Sequence, residues 1–190
     1  MIKTGLGLKK KAWWLARHLL PMPLLYHLWH LKTRGARFGD DYAPVTDRRQ
    51  FRPQPNVMLE VYWSRVPGVG WGPSASLFVL GEEILRLDCF GGADGQMHFN
   101  PEQAHLTAGW DQPRIRFGPG TIPDHIARGV FELKTNGVAA LKSNMIKRIR
   151  DFPLDAAALD RVSNDMADYM QALYETHGDD PGGGDSAARP

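Results

Sequence analysis

One cysteine, Cys89, stands in 190 residues. A lone thiol excludes an internal disulfide and makes a reducing compartment acceptable. The most apolar segment, residues 12–29, is too short and too polar to span a bilayer, being interrupted by Arg17, His18, Pro21 and Pro23. It starts like a secretory leader, with Lys9, Lys10 and Lys11 ahead of it, but no small-residue cleavage site follows. Cofactor fingerprints are missing as well. The glycines at 68, 70 and 72 precede no helix, so they do not make a dinucleotide loop. The run Gly91-Gly92-Ala93-Asp94-Gly95 lacks the helix and lysine of a phosphate loop. Ser64 and Ser76 have no nucleophile-elbow glycines. Internal repeats are absent, and no cofactor is expected.

Net charge is also small, +2, but it is unevenly spread. Residues 1–56 carry 11 Lys/Arg against 3 Asp/Glu, whereas the remainder carries 12 against 18. A basic arm on an acidic body favours docking of the arm on its own domain, on an acidic partner or on a membrane surface. Residues 9–32 read as two short amphipathic helices around Pro21-Met22-Pro23, with Trp13, Trp14, Leu24, Leu25, Leu28 and Trp29 seeking cover. Docking on the domain or on a second copy of the chain is the leading expectation, ahead of membrane contact. Nucleic acid is not expected, because the arm has no groove-reading motif. Residues 33–56 are polar and turn-rich, a linker. The expected layout is therefore a basic, aromatic-rich helical arm and linker over 1–55, an α+β domain over 56–177 and a disordered tail over 178–190.

Within the domain, residues 57–63 alternate as a strand, Leu59, Val61 and Trp63 on one face and Glu60 and Tyr62 on the other. Glycines and prolines at 67–73 predict a loop. Residues 76–80 and 83–90 then form a hairpin about Gly81-Glu82. That turn sets Leu80 against Glu83, Phe78 against Leu85 and Ser76 against Leu87. Residues 96–99 and 114–117 add further strands. Asn100-Pro101 suits a helix start. Helices follow near 123–143, where Gly137 is an interior cost, and over 154–176. The fold class expected is α+β: a mostly antiparallel sheet packed by two C-terminal helices, with an N-terminal helical arm.

If the helices cover the Leu59 face, the other face gathers Glu60, Tyr62, Arg86, Asp88 and His98, with Arg114 or Arg116. His98 is the natural proton carrier, since imidazole titrates near neutrality. Asp88 orients it, Tyr62 supplies a proton to a leaving oxygen, and Arg86 and Arg114 hold an anionic oxygen. Glu132 is a further acid or base if its helix closes over the sheet. Trp71 and Trp110 provide aromatic walls. The expected activity is a cofactor-independent lyase or isomerase acting by acid–base catalysis on a small aromatic molecule, in a cytoplasmic homodimer. The rival is a non-catalytic interaction subunit docking through its arm. A metal held by His98, His105, His125 and Asp88, or by His27 and His30, is disfavoured by spacing. For each residue alone, a structural role is the simpler reading, the wet side of an antiparallel sheet included.

Overall fold

The computed structural model describes residues 46–66, 69–101 and 114–178, together with Ala12, Leu15, Ala16, Leu19, Leu20 and Leu24. The remainder of the arm, the C-terminal tail from 179, His105 and Trp110 lie outside the described residues.

Six strands form one antiparallel meander in sequence order: β1 (Thr46–Phe51), β2 (Val57–Val66), β3 (Gly70–Val79), β4 (Glu82–Asp88), β5 (Gln96–Phe99) and β6 (Arg114–Arg116). Three helices follow, α1 (Ile122–Lys142), the single turn α2 (Lys147–Arg150) and α3 (Ala156–His177). The molecule is α+β, as the alternation and helical periodicity predict.

Helix α1 begins at a capping box. The Thr121 hydroxyl accepts from the Asp124 backbone N–H, and the Asp124 carboxylate accepts from the Thr121 N–H. Pro123 stands in the first turn, where its missing N–H costs nothing. Asp155 caps α3 by accepting from Ala157 N and Ala158 N. Both helices cover one face of the sheet. Leu59, Val61, Leu77, Leu85, Leu87 and Met97 meet Leu133, Met166, Met170 and Leu173 there, all buried. Gly137 is explained by the helix pairing: a Cβ there would press on the Leu159 side chain of α3, so the glycine lets the helices approach. Pro101 is helical, as the Asn100-Pro101 pair predicts, and residues 102–113 lie outside the described ones. Asn100 has a second role. It takes φ 43° and clamps the C-terminus of α1, its amide donating to Ala140 O at 3.0 Å and accepting from Asn144 at 2.7 Å.

Three sheet features depart from expectation. Strand β1 lies within the stretch expected to be linker. It is an exposed edge strand, rich in Arg and Gln, so it has no hydrophobic alternation to announce it. Strand β3 begins at Gly70, inside the expected loop. Gly72 belongs there because a Cβ would collide with the Cys89 carbonyl oxygen of the neighbouring strand. Finally, the β3–β4 turn is Leu80-Gly81, both with positive φ (54° and 78°), so the glycine comes second. This is the twist-matched turn with two left-handed residues. A bulge follows between Leu77 and Phe78, and below it Leu77 pairs Leu85, Ser76 pairs Arg86 and Ser74 pairs Asp88. The register expected from a Gly81-Glu82 turn is thus off by one. The correction sets Arg86 and Asp88 opposite serines rather than beside Leu77 and Ala75.

Candidate functional site

The face away from the helices is built of two polar rungs. Glu60, Ser76, Arg86, His98 and Arg114 are successive cross-strand partners, and Tyr62, Ser74, Asp88, Gln96 and Arg116 form the next rung. Alternation along each strand puts all ten on one side. Neither α1 nor α3 lies over this side, yet Glu60, Tyr62, Ser74, Ser76, Asp88 and His98 of the ten are buried, as is neighbouring Glu83. Arg86 and Gln96 are partly exposed and Arg114 and Arg116 are exposed, so the centre of the face is dry and its β6 edge is wet.

Burial on this scale requires that the polar atoms satisfy each other. Ser74 Oγ donates to Asp88 Oδ1 at 3.1 Å, and His98 Nε2 meets Asp88 Oδ2 at 3.1 Å. Arg86 Nε stands 3.6 Å from the same Oδ2. Because Ser74 spends its only proton on Asp88, its 2.8 Å bond with Ser64 makes Ser64 the donor. The same logic orders a second chain. Ser76 donates to Glu83 Oε1 at 2.7 Å, so the Tyr62 phenol donates to Ser76 across 3.1 Å.

Electrostatics assign the protonation states at the two ends. Burial pushes the Asp88 carboxyl up, but Arg86, His98 and Ser74 together outweigh it and hold the group below the ordinary carboxylate range. Asp88 is therefore a carboxylate, and His98 Nε2–H is the donor between them. Burial drives the Tyr62 phenol far above its ordinary value, with Glu83 and Asp88 reinforcing the effect against Arg86. A phenol so held keeps its proton. The expected role of Tyr62 as a proton donor gives way to that of a neutral hydrogen-bond donor.

The other expected site residues are placed as follows. Arg114, on the edge strand, is exposed and reaches Gln96 Oε1 at 3.4 Å. Glu132 is buried on α1, across the sheet from His98, where Arg128 Nε donates to it at 2.7 Å and Asn136 holds its other oxygen. It does not join the cluster, because α1 packs on the apolar face. Trp71 also belongs to that face, its ring 5.7 Å from the ring of Trp63. Trp110 is outside the described residues. Cys89 points into the core, as its alternation with Asp88 predicts, and donates weakly to His125 O at 3.3 Å. His125 is occupied by a loop: Nδ1 accepts from Gly91 N at 3.0 Å and Nε2 donates to Gly118 O at 2.9 Å. Among the described residues, no group of three or more His, Cys, Asp or Glu could hold a metal.

In the sequence Ser64 and Ser76 are weighed only as nucleophiles, and neither they nor Ser74 and Glu83 are expected in the cluster. A signal was present: Ser74 and Ser76 sit at every-other-residue spacing on one strand, on the same face as Asp88. Comparison with family models, with curated proteins and with solved structures returns no match to this chain.

Proposed function

We propose that the chain is a small enzyme using acid–base chemistry, of lyase or isomerase type, with His98 as the proton-transferring group and Asp88 as its partner. The observation that carries this reading is the buried Ser74–Asp88–His98 chain with Arg86 beside it. A carboxylate on Nε2 fixes the ring and stabilises the imidazolium that forms when the ring takes a proton. Nδ1 is then the atom that exchanges a proton with substrate. Arg86 lies one rung from Asp88 and suits a substrate oxygen on which negative charge develops. Tyr62, held neutral, positions Ser76 and Glu83 and stays out of the proton traffic. The reaction this arrangement fits is proton removal beside an oxygen-bearing carbon, followed by elimination or reprotonation. The aromatic substrate preference loses Trp71, which lies on the other face, so a small oxyanion-bearing molecule is the better substrate class.

The test starts from ligand discovery. Small carboxylates, enols and phenolates are screened for raising the Tm of the full chain, and stabilising compounds are assayed for turnover. His98→Ala should lower turnover by about 10²–10⁴-fold while stabilisation by the ligand persists. Unchanged turnover in His98→Ala would overturn the assignment.

The rival reading, an interaction subunit attached through its N-terminal arm, is favoured by the exposure of Leu15, Leu19 and Leu24. Deleting residues 1–32 separates the two. Retained ligand binding and turnover with loss of a bound partner assigns the arm to attachment and the sheet to chemistry.

A further inference from the structure

The N-terminal segment carries a feature independent of the sheet. Ala12, Leu15, Ala16 and Leu19 are helical, and the Leu20 N–H donates to Ala16 O at 2.9 Å. Leu15 and Leu19 are four apart, hence on one side of the helix, and they are 51% and 71% exposed. Ala12 is exposed with them, while Ala16 and Leu20 are less so. The Leu20 carbonyl accepts from Arg148 of α2, which ties this end of the helix to the body beside α2. The exposed leucines thus lie on a helix whose end is joined to α2 by this contact.

The surroundings are basic. Residue 147 begins a run of three cations in four positions, Lys147, Arg148 and Arg150, and the Lys147 side chain is 81% exposed. A shallow cavity of about 240 Å³ next to them is lined by Ile146, Lys147, Arg148 and Asp151. Asp151 is the opposing charge, paired with Lys147 and near Arg150. Lys142 adds a further cation, its Nζ donating to Arg150 O at 3.1 Å. Met145, next to this turn, is 56% exposed. The sequence of the segment itself adds Lys9, Lys10, Lys11 and Arg17, with no acidic residue before Asp40.

We infer that Leu15 and Leu19, with the basic turn at Lys147–Arg150, form a docking face for an anionic lipid surface. The pairing of two signals is the argument. An exposed leucine row inserts shallowly among acyl chains, and a cluster of cations meets anionic headgroups; neither alone holds a protein to a bilayer, but both together do. A partner protein would satisfy the leucines, but it would need its own acidic patch to meet the cations. An anionic bilayer supplies both from one surface. No helix among the described residues is long and apolar enough to cross a membrane.

The experiment is vesicle flotation of the full chain on phosphatidylcholine alone and on phosphatidylcholine with about 30% phosphatidylglycerol, whose negative surface potential attracts basic segments. Binding should be at least tenfold stronger to the anionic vesicles and should fall steeply with added salt. Leu15→Glu with Leu19→Glu, both exposed and expected to leave the fold intact by circular dichroism, should weaken it at least tenfold. Lys147→Glu should weaken it severalfold and leave the leucine row in place. Equal binding to both vesicle types, or full binding by the double variant, would overturn the inference. So would a double variant that merely converts a dimer to a monomer with no vesicle dependence, since the leucines would then belong to a self-interface.

Discussion

Asp88→Asn is the most informative single change in this protein. The carboxylate accepts from Ser74 and His98 and faces Arg86, and its side chain is only 10% exposed. The amide keeps the shape and removes the charge that the other groups were arranged around. One amide oxygen still accepts from Ser74 or His98, but the NH₂ group then points a donor at a donor. Breaking a buried charge constellation by neutralising one member costs about 3–5 kcal/mol. Arg86 is 17% exposed and regains part of its hydration, which puts the expected loss near the lower end, about 3 kcal/mol. With a urea slope of about 1.5 kcal/mol/M, the midpoint falls by roughly 2 M. The pH dependence gives an independent check. Asp88 is held below its unfolded value of about 3.9, so its contribution is complete above that pH and is lost as pH falls through the folded pKa. The gap between wild type and Asp88→Asn should therefore be widest at neutral pH and close below about pH 4. A loss under 1 kcal/mol, or a gap that stays constant into acid, would refute the account of Asp88 as the charged centre of a dry face.

Other measurements test neighbouring parts. Tyr62→Phe removes the donor to Ser76 and should cost about 1 kcal/mol at pH 7. Because the folded phenol resists ionisation, wild type should lose stability as pH rises above about 10, where the unfolded phenol ionises. Tyr62→Phe should lack that share of the alkaline loss in a denaturation series, and a parallel slope would count against it. Cys89 is fully buried, and burial raises its thiol well above the ordinary value. Native protein should react with a thiol reagent only as fast as it opens, and rapid stoichiometric labelling would contradict the placement. Gly72→Ala forces β3 away from Cys89 and should destabilise by about 1–3 kcal/mol, read as a lowered Tm. Wild-type stability in that variant would mean the strand approach is looser than described.

The long periodic elements were legible from residue types alone. Ile126, Leu133 and Leu141 on one helix, and Leu159, Val162, Met166, Met170 and Leu173 on another, wrote both helices and their buried faces into the chain. Strand β2 was equally plain, since Val57, Leu59, Val61 and Trp63 repeat at period two. Legibility failed where backbone geometry overrode side-chain signals. Gly70 and Gly72 look like loop punctuation, but here Gly70 makes room for the Phe90 side chain and Gly72 for the Cys89 carbonyl. Leu80 takes a left-handed conformation that leucine rarely adopts, because its side chain is buried in the core and its N–H bonds Asn56 O at 2.9 Å. No propensity rule selects Leu80 over Glu82 as Gly81's turn partner. Yet that choice, with the bulge after it, decides which residues Arg86 and Asp88 face. The pairing of Asp88 with His98 was readable as a possibility of strand alternation. Its shelter was not, because whether a polar sheet face is wet or dry depends on what lies over it.

The dryness of that face is what separates a site from a surface. Exposed rungs of Glu, Arg and His on an antiparallel sheet would be interchangeable with any solvated residues. Buried, the same groups are costly, and hydrophobic side chains of similar volume commonly replace such clusters with no loss of stability or with a gain. Stability therefore does not account for Asp88, Arg86 and His98 standing together under cover. Two kinds of demand do: a unique strand register, or chemistry at the imidazole. Register is already fixed by the Leu80-Gly81 turn, the bulge and the predominantly apolar opposite face. With register specified elsewhere, the cluster is redundant as a registry device, which is consistent with the acid–base role proposed for it. An Asp88→Leu, His98→Leu double variant that folds with unchanged register and greater stability would show the redundancy directly. If it instead loses the strand order, the cluster is architectural and the chemistry must be sought elsewhere.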